Sequence, residues 1–331
     1  MFMERKTRYN EIYPMKQVPH IESFSILSTL YRCPAYTSHL AASPSGKVVV
    51  TFPRTDPTTR NPDAEFRFRT QLEILRGIPH PHLDRILDVR INDGAPCVIS
   101  EYHEGKTLRS LLAARTASPG LQKAVDCMRA AADGLSWAHA HTIVHLGLTA
   151  DSIVVPGRGN SRDFGGVILK DFGIADLTRY DDSIPAAELL PLFFTLAPEQ
   201  LGCIGRDPDH RSDIYALGVI FYRLVAGRYP FETDNLHALI QHHLHRPPPP
   251  LRRGTQRVPV ALERIILKMI DKDPAARYAS ASALRDDLDA VKNRSGPTVI
   301  DDDPVRIPSI ENPGLIGREH EFRKIKDDFE S

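Results

Sequence analysis

The sequence lacks several features that mark specialised classes of protein. It has no excess charge, because 42 Lys and Arg balance 42 Asp and Glu, which argues against a general nucleic-acid-binding protein. Its four cysteines form no Cys-x-x-Cys pair, which favours reduced thiols. The amino terminus has no apolar segment typical of a signal peptide, and no apolar run approaches the ~20 residues that cross a bilayer. We therefore expect a cytoplasmic chain without membrane insertion.

The chain divides into a shorter β-rich part and a longer helical part. SGKVVVTF and PCVIS are typical of strands, and AEFRFRTQLEILRGI between them is typical of a helix. We expect one α+β domain over residues 23–292, with parts at about 23–102 and 103–292. A leader (1–22) precedes it, and an acidic, proline-bearing tail (293–331) follows it.

Several short motifs follow one another in a fixed order. LKDFGIAD contains Asp171, Phe172 and Gly173, and an Ala-Pro-Glu triplet ends at Glu199. HPHL precedes them, and RSDIYALGVIFYRLVAGRYPF and KDPAARYAS follow them. In order and spacing, these motifs resemble those of protein kinases over most of the chain. The resemblance implies the bilobal protein-kinase fold, with a small β-rich lobe carrying one regulatory helix and a larger helical lobe.

The motif residues that this chain retains have architectural roles in the family. The resemblance implies that Glu199 and Arg277 form a buried ion pair. It also implies that Asp213 caps its helix and holds the backbone of the catalytic loop. His145 and Phe172 would stack between the lobes. Each of these residues, like the glycine of the Asp-Phe-Gly triplet, can be explained by folding alone.

The catalytic loop departs from the family pattern at the charged positions. HLGLTADSIVV stands in the place of His-Arg-Asp-Leu-Lys-Pro-x-Asn. Gly147 replaces the catalytic base, Thr149 the lysine that meets the γ-phosphate, and Ser152 the asparagine that binds a second Mg²⁺. Leu146 replaces the arginine. Asp151 lies four residues past the base position, and we interpret it as a solvated or capping residue rather than a substitute base.

The lysine and glutamate that position ATP phosphates are also absent. Alignment on the third strand puts Phe52 at the lysine position, where its ring would close the inner end of the nucleotide cleft, and an alignment shifted by one puts Thr51 there. Gln71 stands at the glutamate position, so both members of the pair are neutral. Rescue by Arg54 or Lys47 is a disfavoured alternative.

The phosphate-binding loop contains no glycine. It reads LYRCPAYTSHLA, in which Pro34 removes an amide donor and the side chains of Tyr31, Arg32 and Tyr36 would crowd the phosphate space.

The rest of the pocket is vestigial in this interpretation. Its candidate residues are Ser100, at the back of the pocket, Tyr102 and Asp171, the only retained candidate for a metal ligand. We therefore expect no catalytic residue, no metal and no cofactor; ATP with Mg²⁺ is a disfavoured alternative.

The segment before the Ala-Pro-Glu triplet also differs from the family. Pro191 and Leu192 replace the Gly-Thr pair that helps to seat substrate. Phe193 and Phe194 follow, and we expect both to pack locally rather than to form a partner site.

The tail resembles a junction found in large bacterial signalling proteins. In that group, a kinase-like domain related to bacterial Ser/Thr kinases precedes a STAND-type ATPase, which opens with Gly-Arg-Glu, here residues 317–319. Alternatively, the tail is an amphipathic helix that docks Phe322, Ile325 and Phe329 on the kinase lobe.

The sequence thus favours a pseudokinase, a non-enzymatic signalling module. It would act through a protein partner or a downstream ATPase domain, without nucleic acid. The alternative is an atypical Ser/Thr kinase or ATP-binding enzyme with a rearranged active site.

Overall fold

A computed structural model describes most of the chain between residues 23 and 293. The described residues are 23–33, 36–53, 62–77, 79–92, 95–113, 120–158, 161–174, 186–201, 206–251 and 258–293.

The first lobe is a five-stranded antiparallel sheet with the order β1-β2-β3-β5-β4. Its strands are β1 (Ser25–Arg32), β2 (Tyr36–Ser43), β3 (Gly46–Pro53), β4 (Ile86–Asn92) and β5 (Ala95–Glu101). Helix α1 (Pro62–Gly77) lies between β3 and β4 in sequence and packs next to β4. Its side chains Phe68, Leu72 and Leu75 are buried, since they recur at helical spacing on one face.

The second lobe is mainly helical. Its helices are α2 (Leu108–Ala113), α3 (Leu121–Ala140), α4 (Ala186–Phe193), α5 (His210–Ala226), α6 (Leu236–His245), α7 (Val260–Met269) and α8 (Ala281–Asn293). A small sheet joins β6 (Gly105–Thr107), β7 (Ile153–Pro156) and β8 (Ile168–Leu169). Short 3-10 turns cover Pro198–Leu201 and Pro274–Ala276.

Helix α5 runs through the core of the second lobe. It packs against α3 and α7. The Asp209 side chain accepts a hydrogen bond from the Arg211 amide and caps its first turn, and Gly227 ends it in a left-handed conformation (φ 75°). The expectation that Asp213 caps this helix is therefore wrong; Asp213 lies one turn further on and faces the catalytic loop.

The HPHL turn joins the two lobes. The Asp84 amide donates to the Leu169 carbonyl at 2.7 Å, and the Leu169 amide donates to the His82 carbonyl at 2.9 Å. These two hydrogen bonds connect the turn after α1 to strand β8, which precedes the Asp-Phe-Gly segment.

Three general properties of the described residues bear on function. None of their helices has the length and apolarity needed to span a bilayer. Within the same ranges, no group of three or more His, Cys, Asp and Glu is arranged to hold a metal ion. The cysteines that the structure describes, Cys33, Cys97 and Cys127, are buried thiols that form no disulfide with one another.

Candidate functional site

The backbone of the catalytic loop is fixed by Asp213. Its carboxylate accepts from the amides of His145 and Leu146, both at 2.8 Å, and His139 Nε2 lies 2.9 Å from the same group. Leu146 has a φ of 55°, a conformation that costs energy for a residue other than glycine. The predicted role of Asp213 in holding this loop is confirmed.

The three positions that we align with the base, lysine and asparagine of the family carry no charged side chain, and two of them form hydrogen bonds within the loop. Gly147 supplies no side chain. The Ser152 hydroxyl accepts from the Thr149 amide at 3.3 Å, and the Thr149 hydroxyl accepts from the Asp151 amide at 3.2 Å. The two hydroxyl oxygens lie 3.4 Å apart, and both residues are buried. These side chains therefore stabilise the loop rather than present charge to a substrate.

Asp151 is buried, so its interpretation as a solvated residue is wrong. Only 2% of the residue is exposed. Its carboxylate pairs with the Arg109 guanidinium and accepts from the Tyr31 hydroxyl at 2.6 Å. Burial raises the pKa of Tyr31 far above its usual value, and the nearby Asp151 carboxylate acts in the same direction. The phenol is therefore a permanent donor.

A second carboxylate, Asp171, is held in a similar way. It accepts from the Tyr36 hydroxyl at 2.5 Å and pairs with the neighbouring Lys170 ammonium. Lys170 Nζ also lies 3.4 Å from the Tyr36 oxygen and 5.5 Å from the centre of the Tyr31 ring. Burial raises the pKa of Tyr36 well above its usual range, with the Asp171 charge adding to the effect. Asp171 thus has a cation and a donor from its own chain.

Two of the side chains expected to crowd the phosphate space, Tyr31 and Tyr36, lie next to each other. Tyr31 is the penultimate residue of β1 and Tyr36 the first of β2, and their ring centres lie 5.5 Å apart. Tyr36 is only 6% exposed. Pro34 lies outside the described residues.

The Asp-Phe-Gly segment packs as the family pattern implies. The ring centres of His145 and Phe172 lie 4.5 Å apart with an interplanar angle of 42°, so the predicted contact forms, but the rings are tilted rather than stacked. His145 Nε2 is 2.9 Å from the Lys170 carbonyl oxygen. Helix α1 covers Gly173 closely: a Cβ there would lie 3.0 Å from Gln71 Oε1. That oxygen is buried and has no hydrogen-bond partner among the described residues.

The lysine position of the third strand is held by Thr51, not by Phe52. Phe52 packs with Val50 on the outer face of the sheet. Thr51 points the other way: it pairs with Val98, which belongs to the core shared with α1, and its hydroxyl lies 2.8 Å from the Ser38 hydroxyl. Because side chains alternate along a strand, a shift of one residue reverses the face. The expectation that Phe52 closes the cleft is therefore wrong.

The other predicted pocket residues lie near the link between the lobes. Ser100 is buried and hydrogen-bonds to Asp84, a carboxyl whose pKa burial raises. Lys47 Nζ lies 5.9 Å from the centre of the Tyr102 ring, so its charge sits over that ring. Arg54 lies outside the described residues.

The predicted ion pair under the activation segment is confirmed. Arg277 donates to both carboxylate oxygens of Glu199, at 2.7 and 2.8 Å, and the two side chains are 0% and 1% exposed. The Ser212 hydroxyl donates to the same carboxylate at 2.7 Å. The Arg277 guanidinium lies over the Tyr215 ring at 4.7 Å, so charge and aromatic packing act together.

The segment before the Ala-Pro-Glu triplet is folded onto the second lobe. Pro191 and Leu192 lie within helix α4. The Thr195 hydroxyl donates to the Leu148 carbonyl at 2.8 Å, which fastens the end of this segment to the catalytic loop.

The two phenylalanines pack locally, as predicted. Phe193 packs against the cluster that contains Leu236 of α6. The Phe194 ring stacks on Tyr229 at 4.8 Å with an interplanar angle of 1°, and the Arg223 guanidinium lies 4.2 Å from the centre of the same tyrosine ring. Both aromatic side chains are therefore engaged within the chain.

Sequence reasoning missed two cations of this site, Lys170 and Arg109. Lys170 directly precedes the Asp-Phe-Gly triplet, so its position was a usable signal. Arg109 has no comparable signal in the sequence, because only the fold brings helix α2 next to the catalytic loop.

Four features together define the architecture of a protein kinase. They are a sheet lobe, a helical lobe, a histidine ring in contact with the Asp-Phe-Gly segment and a buried Glu–Arg pair. A family model described as the protein kinase domain matches residues 50–288. The Ser/Thr protein kinase pkn3 of Myxococcus xanthus is 36% identical over 232 residues, which cover 68% of this chain and 42% of the relative. PrkC of Bacillus subtilis is 31% identical over 230 residues, covering 68% and 34%. This chain belongs to the protein kinase family, and its relatives include bacterial Ser/Thr kinases.

Solved structures confirm the predicted fold. A double mutant of the PknI kinase domain of Mycobacterium tuberculosis superposes with a TM-score of 0.65 at 21% identity, covering 84% of this chain and all of that domain. The unmutated PknI kinase domain gives a TM-score of 0.62. This chain spans less than half the length of the curated relatives named above.

Proposed function

We propose that this chain is a pseudokinase, a kinase-shaped signalling module that does not transfer phosphate. The observation that carries the proposal is the neutral turn at Gly147, Thr149 and Ser152. Phosphoryl transfer relies on positioned charges, and a general base alone typically contributes ~10²–10⁴-fold to the rate. In this turn the hydroxyls bond within the loop, and position 147 has no side chain.

The first lobe supports the same proposal. Thr51 stands where a lysine would pair with phosphates, and its hydroxyl is engaged with Ser38. Gln71 supplies no charge. The retained charges Glu199, Arg277 and Asp213 all stabilise the fold, so a partner would meet an intact kinase shape.

We propose that a protein partner or a downstream domain binds this kinase-shaped surface in the cytoplasm. This binding would need neither nucleic acid nor a bound cofactor. The Gly-Arg-Glu triplet at 317–319 supports a following STAND-type ATPase as the nearest such domain, but it lies outside the described residues.

One observation favours the alternative of an atypical enzyme. Lys170 and Asp171 place a cation and an acidic group side by side at the cleft, 15% and 8% exposed. They could serve ATP only if Asp171 exchanged its present partners for a metal ion.

The test is phosphate incorporation by the purified chain with labelled ATP and either Mg²⁺ or Mn²⁺, on itself and on a generic protein substrate. We expect no incorporation above that of the Asp171→Ala variant. Incorporation by the unaltered chain that Asp171→Ala abolishes would refute the proposal and support the atypical enzyme.

A further inference from the structure

We propose that Tyr31 and Tyr36 form a latch that holds the two lobes closed in place of a nucleotide. Each phenol reaches from the edge of the first lobe to an aspartate of the second lobe: Tyr31 to Asp151 at 2.6 Å and Tyr36 to Asp171 at 2.5 Å. In a working kinase, the bound nucleotide occupies the space between these elements.

The two halves of the latch are built alike. Arg109 pairs with Asp151, and Lys170 pairs with Asp171. A buried carboxylate that keeps its charge needs a cation and hydrogen-bond donors. Each aspartate has one of each: a cation beside it and a tyrosine hydroxyl that donates to it. Hydrogen bonds to charged groups are stronger than those between neutral groups.

The two halves also support each other. Tyr31 and Tyr36 lie at the facing ends of β1 and β2, and the Cys33 amide donates to the Tyr36 carbonyl at 3.0 Å, which holds the strand ends together. The Lys170 ammonium lies 5.5 Å and 5.3 Å from the centres of the two rings, so one cation contacts both.

The latch excludes the ligand that the family binds. Side chains of β1 and β2 take the place of open backbone amides over the cleft. Asp171 is already neutralised by Lys170 and bonded to Tyr36, so a metal ion would have to break both contacts. The closed arrangement of the lobes therefore does not depend on ATP.

This inference does not depend on the lack of phosphotransfer, and its test uses none, so the two proposals can fail separately. The experiment is hydrogen–deuterium exchange of the full chain, comparing the unaltered protein with the double variant Tyr31→Phe/Tyr36→Phe. Phenylalanine keeps the rings and removes only the two hydroxyls. We expect exchange in β1 and β2 to rise by about tenfold or more, because two buried bonds between the lobes are lost, while α5 is unchanged.

Tyr278→Phe is the matched control. The Tyr278 hydroxyl donates to Asp287 at 2.7 Å, but both residues belong to the second lobe. Its loss should leave exchange in β1 and β2 unaltered. If the double variant exchanges like the unaltered chain, or if Tyr278→Phe loosens β1 and β2 equally, the latch does not exist.

A second arm adds millimolar ATP, with and without Mg²⁺, to the unaltered chain. We expect no change in exchange at β1 and β2. Protection of these strands by ATP would show that nucleotide enters the cleft and would overturn the idea that the chain fills it with its own tyrosines.

Discussion

Removal of the Arg277 charge should strongly destabilise the second lobe. Methionine at this position keeps much of the side-chain volume but leaves Glu199 buried, with the Ser212 hydroxyl as the side-chain partner that remains among the described residues. The guanidinium also donates to backbone carbonyls, those of Asp271 at 2.8 Å and Arg211 at 3.0 Å. Arg277→Met therefore strands one buried charge and removes the donor of several carbonyl groups.

The structure sets the size of the effect. Breaking a buried pair by removing one partner typically costs ~3–5 kcal/mol, and the present pair is bidentate and at most 1% exposed. In a domain of this size, each kcal/mol lowers the Tm by about 2–4 °C. We expect Arg277→Met to lower the Tm by roughly 6–20 °C.

Urea denaturation of single and double variants is the assay. In Glu199→Leu/Arg277→Met no charge is stranded, so the double variant should be more stable than the sum of the single losses predicts, by about 2 kcal/mol or more. The matched control is Arg158→Met, because Arg158 pairs with Glu104 at 2.6 Å on the surface, with exposures of 85% and 50%. That change should cost less than ~1 kcal/mol. Equal costs for Arg277→Met and Arg158→Met, or strictly additive single variants, would refute the reasoning.

Two further changes test the second lobe. Burial lowers the pKa of Lys272 from 10.5 to about 7, with the Arg277 charge acting in the same direction. Above pH 7 the unfolded chain therefore binds more protons than the folded chain, so the free energy of unfolding should rise from pH 7 to 9. In urea titrations at these pH values, Lys272→Met should flatten that rise. An unchanged pH dependence in Lys272→Met would contradict the lowered pKa of Lys272. In α5, Gly218→Ala should cost ~1–3 kcal/mol, because the new Cβ would lie 2.6 Å from Met269 Cβ. Thermal melts of both variants check this, with Gly77→Ala as the control. A Cβ at Gly77 meets nothing within 4 Å, so that variant should be as stable as the unaltered chain or more stable.

The fold could be predicted because its short motifs occur along the chain in the order and spacing typical of the family. Glu199 and Arg277 are identified by the short sequences around them, and the pair forms wherever those sequences pack. The error at Phe52 has a different origin. The strand read from the sequence was right, but side-chain direction reverses with each residue, and no motif fixed the register.

Apart from Lys170, which directly precedes the Asp-Phe-Gly triplet, the charged contacts of the cleft have no signal in the sequence. The burial of Asp151 could not be inferred, because its partner Tyr31 lies 120 positions away in sequence. The sequence also gives no helix signal for α4, because Pro191 lies inside it and proline argues against a helix interior. Such contacts depend on how the lobes close, which only the three-dimensional structure determines.

The tyrosine rings over the cleft have a practical consequence for chemical proteomics. Resins that carry ATP-competitive compounds enrich kinases because those compounds enter an open cleft. In this chain, Tyr36 is buried and hydrogen-bonded to Asp171, so a compound on such a resin would have to displace the tyrosine side chain from the cleft. The protein should pass through these columns, and a reagent aimed at it would have to recognise its outer surface.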